Sequence, residues 1–374
     1  MLGKLVSCVL FSILLTSILI VANTIPAKSQ NTITVPDDFS TIQEAINNAN
    51  EGDTIFVRNG TYLENVIVNK TVVLYAESRE ATIVDGKGVG AVFQVEASNA
   101  ILCNFTIQNG DYGVLVNNTE HVKVSDNCVV ACGFGGWTAG IAAYFSTDIV
   151  INNNLVLGGN HTATSGIFLA SYSTGCKIQA NKVSFFNSGI YVHSYSNSNI
   201  VSDNYVTYNT ANNLAGCMAF NNTYTGNIEC GAGIYSIDFW YPNYEGGNRF
   251  YHNTFSGLGV LPGISNFWDN DCEGNYWSNY AGTDSDGDGI GDIPHIIDSS
   301  SQDNYPLMSP YMSGDINHDA IVDIFDIARI AGIFGCSSVD PQWNPHCDVN
   351  EDNVIDIFDL VVVAVNFGKE WSSP

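Results

Sequence analysis

Basic side chains are scarce in this sequence, which has 12 Lys and Arg against 38 Asp and Glu in 374 residues and a formal net charge of −26. A surface of that charge repels phosphate backbones, so nucleic acid is excluded as a partner. Within residues 100–310 the basic side chains are Lys123, Lys177, Lys182 and Arg249. So few cations argue against a groove for polyuronates. The acidity instead indicates a soluble extracellular surface, or carboxylates gathered into cation sites.

Long apolar runs are also lacking beyond the N-terminus. The one long run extends from Leu5 to Val21, behind Lys4, and small residues around Ala22 and Ala27 offer a cleavage region. At about 17 residues the run is short for a membrane-spanning helix, so a signal peptide over residues 1–29 is favoured over a retained anchor. We therefore expect a secreted or cell-surface protein with no membrane span in the mature chain.

The cysteines do not define a disulfide framework. Nine remain once Cys8 of the N-terminal segment is removed, so at least one thiol is free or pairs between chains. Cys336 and Cys347 are predicted to form a bridge across a short loop. For the other seven, burial as small apolar side chains and disulfide pairing both remain open.

What the sequence has in abundance is a repeat. Four phrases begin with Gly and alternating apolar residues and end in Asn, starting at Gly113, Gly140, Gly166 and Gly189. Each phrase contains two short strands of period two. An Asn recurs at intervals of 22 to 27 residues, at Asn104, Asn127, Asn154, Asn181, Asn204, Asn227, Asn253 and Asn275. Because a coil of short strands bends at the same angular position in each turn, this series predicts a right-handed parallel β-helix with stacked Asn side chains.

Residues 30–308 are assigned to this solenoid. Its start is a short amphipathic helix over Thr41 to Ala49, capped by Ser40 or Thr41, which closes the first coil. The segments beginning at Phe39, Gly52, Gly60 and Ile83 resemble the opening of pectin-lyase-like β-helices. Those beginning at Gly274, Asp284 and Asp303 resemble the closing segment of NosD-type β-helix proteins. The resemblance is specific for the fold and much less specific for an activity.

Some NosD-type proteins assist copper loading, and a copper-handling role is therefore one hypothesis. Copper sites need clustered His, Cys or Met. The sequence places His121, His161, His193, His252 and His295 far apart and has only four Met residues. Copper handling is accordingly the least favoured function.

The tail is a duplication. Residues 315–335 and 348–368 are offset by 33 and identical at 10 of 21 positions. Each copy presents acidic or amide side chains at positions 1, 3, 5, 9 and 12 of a loop and a carbonyl at position 7, which are the oxygen ligands that suit Ca²⁺. The predicted ligands are Asp315, Asn317, Asp319, Ile321, Asp323 and Asp326 in the first loop, and Asp348, Asn350, Asp352, Val354, Asp356 and Asp359 in the second. Ala320 and Asn353 replace the usual Gly of position 6, which predicts some backbone strain.

One amphipathic helix is expected after each loop. The apolar face of the first contains Ile327, Ile330, Ala331 and Phe334, and that of the second contains Leu360, Val363, Ala364 and Phe367. Gly335 and Gly368 are expected to stop the helices. Two loop-helix units of this kind resemble a type I dockerin, which we assign to residues 314–374 after a short linker at 309–313. The resemblance implies a cohesin-type partner, contacted by the residues at loop positions 10 and 11. Here these are Ile324, Phe325, Ile357 and Phe358, and packing inside the module is an equal alternative for them.

A third acidic loop precedes the tail. Asp284, Asp286, Asp288 and Asp292 match positions 1, 3, 5 and 9 of a calcium loop, although Gly291 and His295 stand at positions 8 and 12. Calcium binding is predicted there, with a solvated acidic turn as the alternative. The following linker is too short for a flexible tether, so the tail is expected to lie close to the last coil.

Whether the body is an enzyme remains open. Asp238 and Glu245 form the one closely spaced carboxylate pair embedded in aromatic residues, so they are the candidate catalytic residues of a carbohydrate-active hydrolase or lyase. Trp137, Tyr144, Tyr172, Tyr191, Tyr195 and Tyr235 would extend a sugar-binding platform, or are ordinary strand and core residues. Two roles are weighed above copper handling: a body that binds or processes polysaccharide, and a non-catalytic surface or scaffold protein.

Overall fold

The computed structural model describes residues 30–133, 136–159, 165–231, 235–240, 246–256, 259–261 and 265–371. The signal peptide predicted over residues 1–29 lies outside these residues. Among the described residues, no helix is long and apolar enough to cross a membrane.

A parallel β-helix of three sheets forms the body, as the Asn series predicted. Within the described residues, the first sheet has ten strands, Thr32–Val35, Thr54–Val57, Val73–Ala76, Ile101–Cys103, Lys123–Ser125, Val150–Asn152, Lys177–Gln179, Ile200–Ser202, Thr223–Thr225 and Arg249–Tyr251. The second has nine, Val66–Val68, Ala91–Val95, Tyr112–Asn117, Ala139–Tyr144, Ser165–Ala170, Ser188–His193, Asn212–Cys217, Tyr235–Trp240 and Val260–Leu261. The third has ten, Gly60–Tyr62, Thr82–Asp85, Thr106–Gln108, Cys128–Val130, Leu155–Leu157, Lys182–Ser184, Tyr205–Thr207, Ile228–Cys230, Thr254–Phe255 and Tyr276–Trp277. A short antiparallel pair, His295–Ile296 and Gln302–Asp303, follows.

The interior of the coil is filled by alternate residues of each strand. In the second sheet, one residue of each successive strand points inward and is fully buried, as the register from Val114 through Ile141, Ile167, Ile190 and Leu214 to Ile237 shows. Their neighbours in sequence point outward, because successive side chains of a strand alternate between its two faces. The outer row of the same sheet therefore contains the residues Ala142, Phe168, Tyr191, Ala215 and Asp238.

The predicted Asn ladder is present from Asn127 to Asn275. Each Asn side chain donates to the side-chain oxygen of the next, as Asn181 Nδ2 does to Asn204 Oδ1 at 3.0 Å and Asn204 Nδ2 does to Asn227 Oδ1 at 2.9 Å. All seven members are essentially buried. At the end, Asn275 donates its backbone N–H to Asp303 Oδ2 at 2.7 Å.

Asn104 is not a member of the ladder, and its inclusion in the series was wrong by one residue. The ladder position in that coil is Phe105, whose N–H donates to Asn127 Oδ1 at 3.0 Å. Asn104 has a left-handed backbone with φ 70. Asp126 and Asn153, which precede ladder members, are also left-handed, with φ 62 and φ 56. The residue before each ladder position therefore forms the left-handed bend, and the ladder Asn contributes the hydrogen bonds between turns.

A second Asn ladder has no counterpart in the predicted series. Asn199 donates to Asn222 at 3.0 Å, Asn222 to Asn248 at 3.1 Å, and Asn248 to Asn266 at 3.0 Å. It lies at another corner of the coil, just before the strands of the first sheet. Two ladders thus satisfy the buried polar groups of successive turns.

The first coil is closed by the helix α1, Ile42–Asn48. Thr41 caps it, since its hydroxyl accepts the Glu44 N–H at 3.1 Å, and Ile42, Ala45 and Ile46 are buried against the coil. This is the predicted lid.

The C-terminal module contains helices α2, Ile324–Gly332, and α3, Ile357–Asn366, and a 3₁₀ turn, Pro345–Cys347. Asp323 and Asp356 cap the two helices with reciprocal capping boxes. The core of the module is small, and its buried members are Ile316, Val322, Ile330, Cys347, Ile355 and Val363.

Two details of the predicted module were wrong. The helices end before Phe334 and Phe367, so these side chains, with Ala331 and Ala364, are exposed instead of packed. The predicted Cys336–Cys347 bridge is absent, because both residues are free thiols that pack in the same small core. None of the nine cysteines of the described residues forms a disulfide.

Candidate functional site

The two tail loops share one hydrogen-bond pattern. Position 1 accepts the backbone N–H groups of positions 5 and 6: Asp315 does so from Asp319 at 3.2 Å and Ala320 at 2.8 Å, and Asp348 from Asp352 at 3.1 Å and Asn353 at 2.8 Å. The repeated geometry follows from the repeated sequence. It also brings positions 3 and 5 into contact, since Asn317 Nδ2 donates to Asp319 Oδ2 at 2.8 Å and Asn350 Nδ2 to Asp352 Oδ2 at 3.0 Å.

Position 12 fixes the end of each loop. Asp326 is fully buried and accepts the N–H groups of Ile316 and Asp323, both at 2.7 Å. Asp359 accepts those of Val349 and Asp356, both at 2.8 Å. One carboxylate therefore joins the start of the loop to the N-terminus of the following helix.

The backbone is left-handed at loop positions 4 and 6. Ala320 has φ 68 and Asn353 φ 69 at position 6, and His318 has φ 55 and Glu351 φ 58 at position 4. Asn tolerates this conformation better than Ala does. The strain predicted at position 6 is therefore present, and it is greater in the first loop.

Burial and neighbouring charge disfavour ionisation of the position 1 carboxylates. Burial, followed by the charges of Asp326 and Asp319, raises the pKa of Asp315 to about 6. Burial also raises the pKa of Asp348. A cation at the loop centre would offset this cost, and the oxygen donors present are those that Ca²⁺ takes. The residues therefore fit two calcium ions.

The apolar pairs at positions 10 and 11 are exposed, which decides between the two alternatives left open for them. Ile324, Phe325, Ile357 and Phe358 expose between 55% and 64% of their surface. They lie on the first turns of α2 and α3 and form no part of the module core. Four large apolar side chains facing solvent at duplicated positions are typical of a binding surface.

The third acidic loop repeats only part of this geometry. Asp284 accepts the N–H groups of Asp288 at 3.3 Å and Gly289 at 2.9 Å, as position 1 does in the tail loops, and Asp284, Asp286 and Asp288 lie together. Asp292 is not part of that group, because its carboxylate accepts the hydroxyls of Thr283 and Ser285. Calcium binding there stays a prediction that rests on three side chains.

The predicted catalytic pair is described only in part. Asp238 is buried on the outer row of the second sheet and accepts from Asn212 Nδ2 at 3.3 Å. Glu245 lies outside the described residues. Asp238 therefore has a defined place, and the pair as such stays a prediction.

An aromatic cluster covers the same outer face. Trp137 is 65% exposed and stacks on Phe168 at 6.2 Å, and Tyr144 and Tyr191 pack beside Phe168 at 5.6 and 5.4 Å. Phe168 and Asp238 lie on one row three strands apart, about 14 Å at the usual strand spacing. Tyr172 and Tyr195 lie elsewhere, stacked on one another at an exposed corner. Tyr144 and Tyr191 are thus not core residues of the coil.

A histidine cluster between the body and the C-terminal module was missed. Glu273 is buried and contacts His252 through Oε2, and His318 and His346 through Oε1; the His318 distance is 3.1 Å. Burial alone would raise the pKa of Glu273, but His252 and His346 outweigh it and hold the pKa well below its usual range. Burial lowers the pKa of His318, whereas Glu273 raises that of His346 against the effect of burial.

The sequence carries one signal for this cluster. His318 and Glu351 occupy position 4 of the two loops, which contributes no calcium ligand, and position 4 contacts the body in both copies. The Tyr251 hydroxyl donates to Glu351 at 3.3 Å. Of the five histidines that the sequence argument treated as scattered, His252 alone belongs to this cluster among the described residues, and its two partners, His318 and His346, come from the tail.

Comparisons with known proteins extend these observations. A family model described as "Periplasmic copper-binding protein (NosD)" matches residues 46–282. A "Cell surface glycoprotein" of Methanothermus fervidus is 28% identical over 102 residues, which cover 26% of this chain and 17% of that protein. The chain thus matches less than a fifth of this relative's length.

Three solved structures are similar to the body. XylC in complex with xylose has 13% identity and a TM-score of 0.43, covering 58% of this chain and 45% of XylC. ORF18 of Geobacillus virus E2 has 14% identity and a TM-score of 0.46, covering 64% and 60%. Pectin methylesterase from Yersinia enterocolitica has 14% identity and a TM-score of 0.42, covering 61% and 94%. At these TM-scores the likenesses say nothing about activity.

Proposed function

The chain belongs to the NosD family of β-helix proteins, and from that premise we propose that it is a secreted or cell-surface protein with a C-terminal dockerin. In this proposal the dockerin binds two Ca²⁺ ions and docks to a cohesin-type partner. The β-helix is the body that this attachment holds in place.

The exposure of the two Ile-Phe pairs carries the proposal. The module contacts the body through position 4 of each loop, at His318 and Glu351. Phe325 and Phe358 remain exposed in this arrangement. A partner can therefore reach the duplicated surface without displacing the module. Apolar pairs in place of small polar residues favour a cohesin surface with an apolar patch.

The proposed location has three supports. The family is described as periplasmic, and the relative from Methanothermus fervidus is a cell surface glycoprotein. The N-terminal apolar run has the composition of a signal peptide. All three favour a protein that acts outside the cytoplasm.

A polysaccharide-binding role for the body is the second candidate function. The aromatic cluster on the outer face supports it, because Trp137 is largely exposed and stacks on Phe168, and a buried carboxylate, Asp238, lies on the same row as Phe168. Aromatic rings stack on the apolar faces of sugars. Cleavage of the bound chain would require Asp238, with Glu245 as the second carboxylate.

Docking is tested by measuring binding of the mature chain to immobilised type I cohesin modules in Ca²⁺. Replacing Phe325 and Phe358 together by Ser is expected to weaken binding at least about 100-fold, because central aromatic side chains dominate such interfaces. Phe334→Ser with Phe367→Ser is the matched control, since these two residues are similarly exposed on the same module. Equal loss in both double variants, or binding that persists in EDTA, would contradict the proposal.

The body's role is tested with a glycan array, followed by product analysis of any polysaccharide that binds. Trp137→Ala should abolish binding, whereas Phe185→Ala, which removes an exposed aromatic at a corner of the coil, should not. Full turnover by Asp238→Asn and Glu245→Gln variants on an identified substrate would show that this pair is not catalytic.

A further inference from the structure

We propose that Glu273, His318 and His346 form a binding site for one divalent transition-metal ion at the junction of the β-helix and the C-terminal module. In this site His252 is a positioning residue that holds the second carboxylate oxygen. The site is separate from the calcium loops, and its ligands are of a different chemical kind.

Geometry is the first support. One ligand atom from each of Glu273, His318 and His346 lies within 4.8 Å of the others, and the two imidazole rings are perpendicular with centroids 5.8 Å apart. In a tetrahedral site with bonds of about 2.1 Å, ligand atoms lie about 3.4 Å apart. Small side-chain rotations therefore bring these atoms to coordinating distance.

Burial and charge are the second support. The side chains of Glu273 and His318 are only 7% and 5% exposed, and that of His346 is 22% exposed. The imidazoles and one carboxylate gathered in this largely buried space are a set of electron-pair donors within reach of one ion. A divalent cation accepts an electron pair from each of these side chains at once. It therefore satisfies them better than hydrogen bonds from several imidazoles to one shared carboxylate do.

The arrangement around His252 is the third support. Its Nε2 contacts Glu273 Oε2, the oxygen that faces away from His318 and His346. Its ring stacks on Tyr311 of the linker with centroids 3.7 Å apart and planes 2° apart. The carboxylate is thus held in orientation from behind, as metal-binding carboxylates commonly are by their outer contacts.

The donor set defines the class of metal. Imidazole and carboxylate ligands suit Zn²⁺ and Cu²⁺, whereas Ca²⁺ and Mg²⁺ prefer oxygen alone. Two imidazoles and one carboxylate leave a position open for water or another ligand. His318 and His346 lie outside residues 46–282, so the site needs the C-terminal module in addition to the family's β-helix.

The site also joins the β-helix to the C-terminal module. Glu273 belongs to the last coils of the body, His318 to the first calcium loop and His346 to the 3₁₀ turn before the second. A metal ion here would tie the module to the body and fix the direction in which the Ile-Phe pairs face.

The test uses the mature chain in saturating Ca²⁺, so that the tail loops do not compete for the added ion. Isothermal titration with Zn²⁺, and separately with Cu²⁺, should show one equivalent of tight binding. Electron paramagnetic resonance of the Cu²⁺ form should show nitrogen ligands. The melting temperature should rise with the bound ion.

Variants assign the ligands. His346→Ala and Glu273→Gln should weaken binding at least about 100-fold, and His252→Phe, which keeps the ring stack, should weaken it about 10- to 100-fold. His318→Asn tests the third ligand while tolerating the left-handed backbone there. His295→Ala, a histidine of the body outside the cluster, is the matched control and should bind as the unaltered protein does.

Two outcomes would overturn the site. The first is that the unaltered protein takes up no Zn²⁺ or Cu²⁺ under these conditions, which would leave a hydrogen-bonded histidine–glutamate network only. The second is that His346→Ala and Glu273→Gln bind the metal as His295→Ala does, which would place the metal elsewhere. An unchanged circular dichroism response to Ca²⁺ in each variant shows that it is folded, so a misfolded variant is not mistaken for a lost ligand.

Discussion

The β-helix body and the C-terminal module satisfy their buried polar groups in opposite ways. In the body, each ladder Asn both donates to and accepts from its neighbours, so neutral amides satisfy one another along the coil. In the module, each loop holds four carboxylates that accept backbone N–H groups and repel one another. The amides of the body therefore satisfy one another, whereas we propose that Ca²⁺ balances the carboxylates of the module.

The hydrophobic core of the body is also much larger than that of the module. The interior of the body runs continuously from Val35 to Trp277, but six buried side chains make up the core of the module. Helices of nine and ten residues are marginal on their own. We infer that the body is stable without metal and that the module is ordered largely by Ca²⁺.

The largest expected effect is the loss of both calcium sites. Asp326→Ala with Asp359→Ala should remove the Ca²⁺-dependent part of thermal unfolding, because each carboxylate joins its loop to its helix. At a thousandfold excess of Ca²⁺ over Kd, the lost stabilisation is about 4 kcal/mol per site. Calorimetry of the full chain with and without EDTA measures it.

Asp340→Ala, on the exposed surface of the same module, is the control and should keep the response. A double variant that melts like the unaltered protein in Ca²⁺ would show that these two residues do not serve the metal.

A smaller effect is expected in the Asn ladder of the body. Asn204→Ala removes the acceptor of the Asn181 backbone N–H, at 2.9 Å, and leaves this donor buried, whereas the Asn181 side-chain amide still donates to the carbonyl of Ile151 at 2.8 Å. An unsatisfied buried donor costs about 1–3 kcal/mol, so the loss should be on that order and independent of Ca²⁺. Urea unfolding of the body measures it.

Asn279→Ala, an exposed Asn of the same region, should change the free energy of unfolding by less than about 0.5 kcal/mol. If the two Asn variants were equally stable, the ladder would not stabilise the body.

The smallest expected effect is a gain in stability at Glu229, the exception within the body. Glu229 is buried, neither carboxylate oxygen has a hydrogen-bond partner among the described residues, and burial raises its pKa well above the usual value. Because the folded-state pKa is raised, stability is greatest below the pKa of the unfolded chain and falls as pH rises through the folded-state value.

Glu229→Gln should therefore raise the melting temperature at pH 7, on the order of 2–4 °C, the shift that about 1 kcal/mol produces in a large domain. The difference should shrink toward pH 4, where Glu229 is protonated in both states. A difference that is independent of pH would show that ionisation of Glu229 is not the cause.

Sequence reasoning located most of the body because its signals are periodic. The Asn series and alternating apolar residues specify the coil, and the error at Asn104 arose because two adjacent positions of the bend both accept Asn. The repeated geometry of the two tail loops was also predictable, since the offset of 33 aligns their acidic and amide residues, and Ca²⁺ binding by these residues stays a prediction.

The rest depended on how distant segments pack. His252, Glu273, His318 and His346 are far apart in the chain and meet only when the module contacts the last coils. The exposure of Phe325 and Phe358 was left open for the same reason. Phe334 and Phe367 were wrongly placed on the apolar faces, because helix ends depend on local hydrogen bonding that periodicity does not define.

The central claim is that one chain combines a metal-independent body with a calcium-ordered module. Hydrogen exchange of the full chain, followed by mass spectrometry with and without EDTA, tests it in a single experiment. We predict that chelation removes protection from Ile324–Gly332 and Ile357–Asn366 and leaves Lys177–Gln179 and Ile200–Ser202 unchanged. Protection of both helices that is indifferent to EDTA, or an equal loss in the strands of the body, would contradict the account.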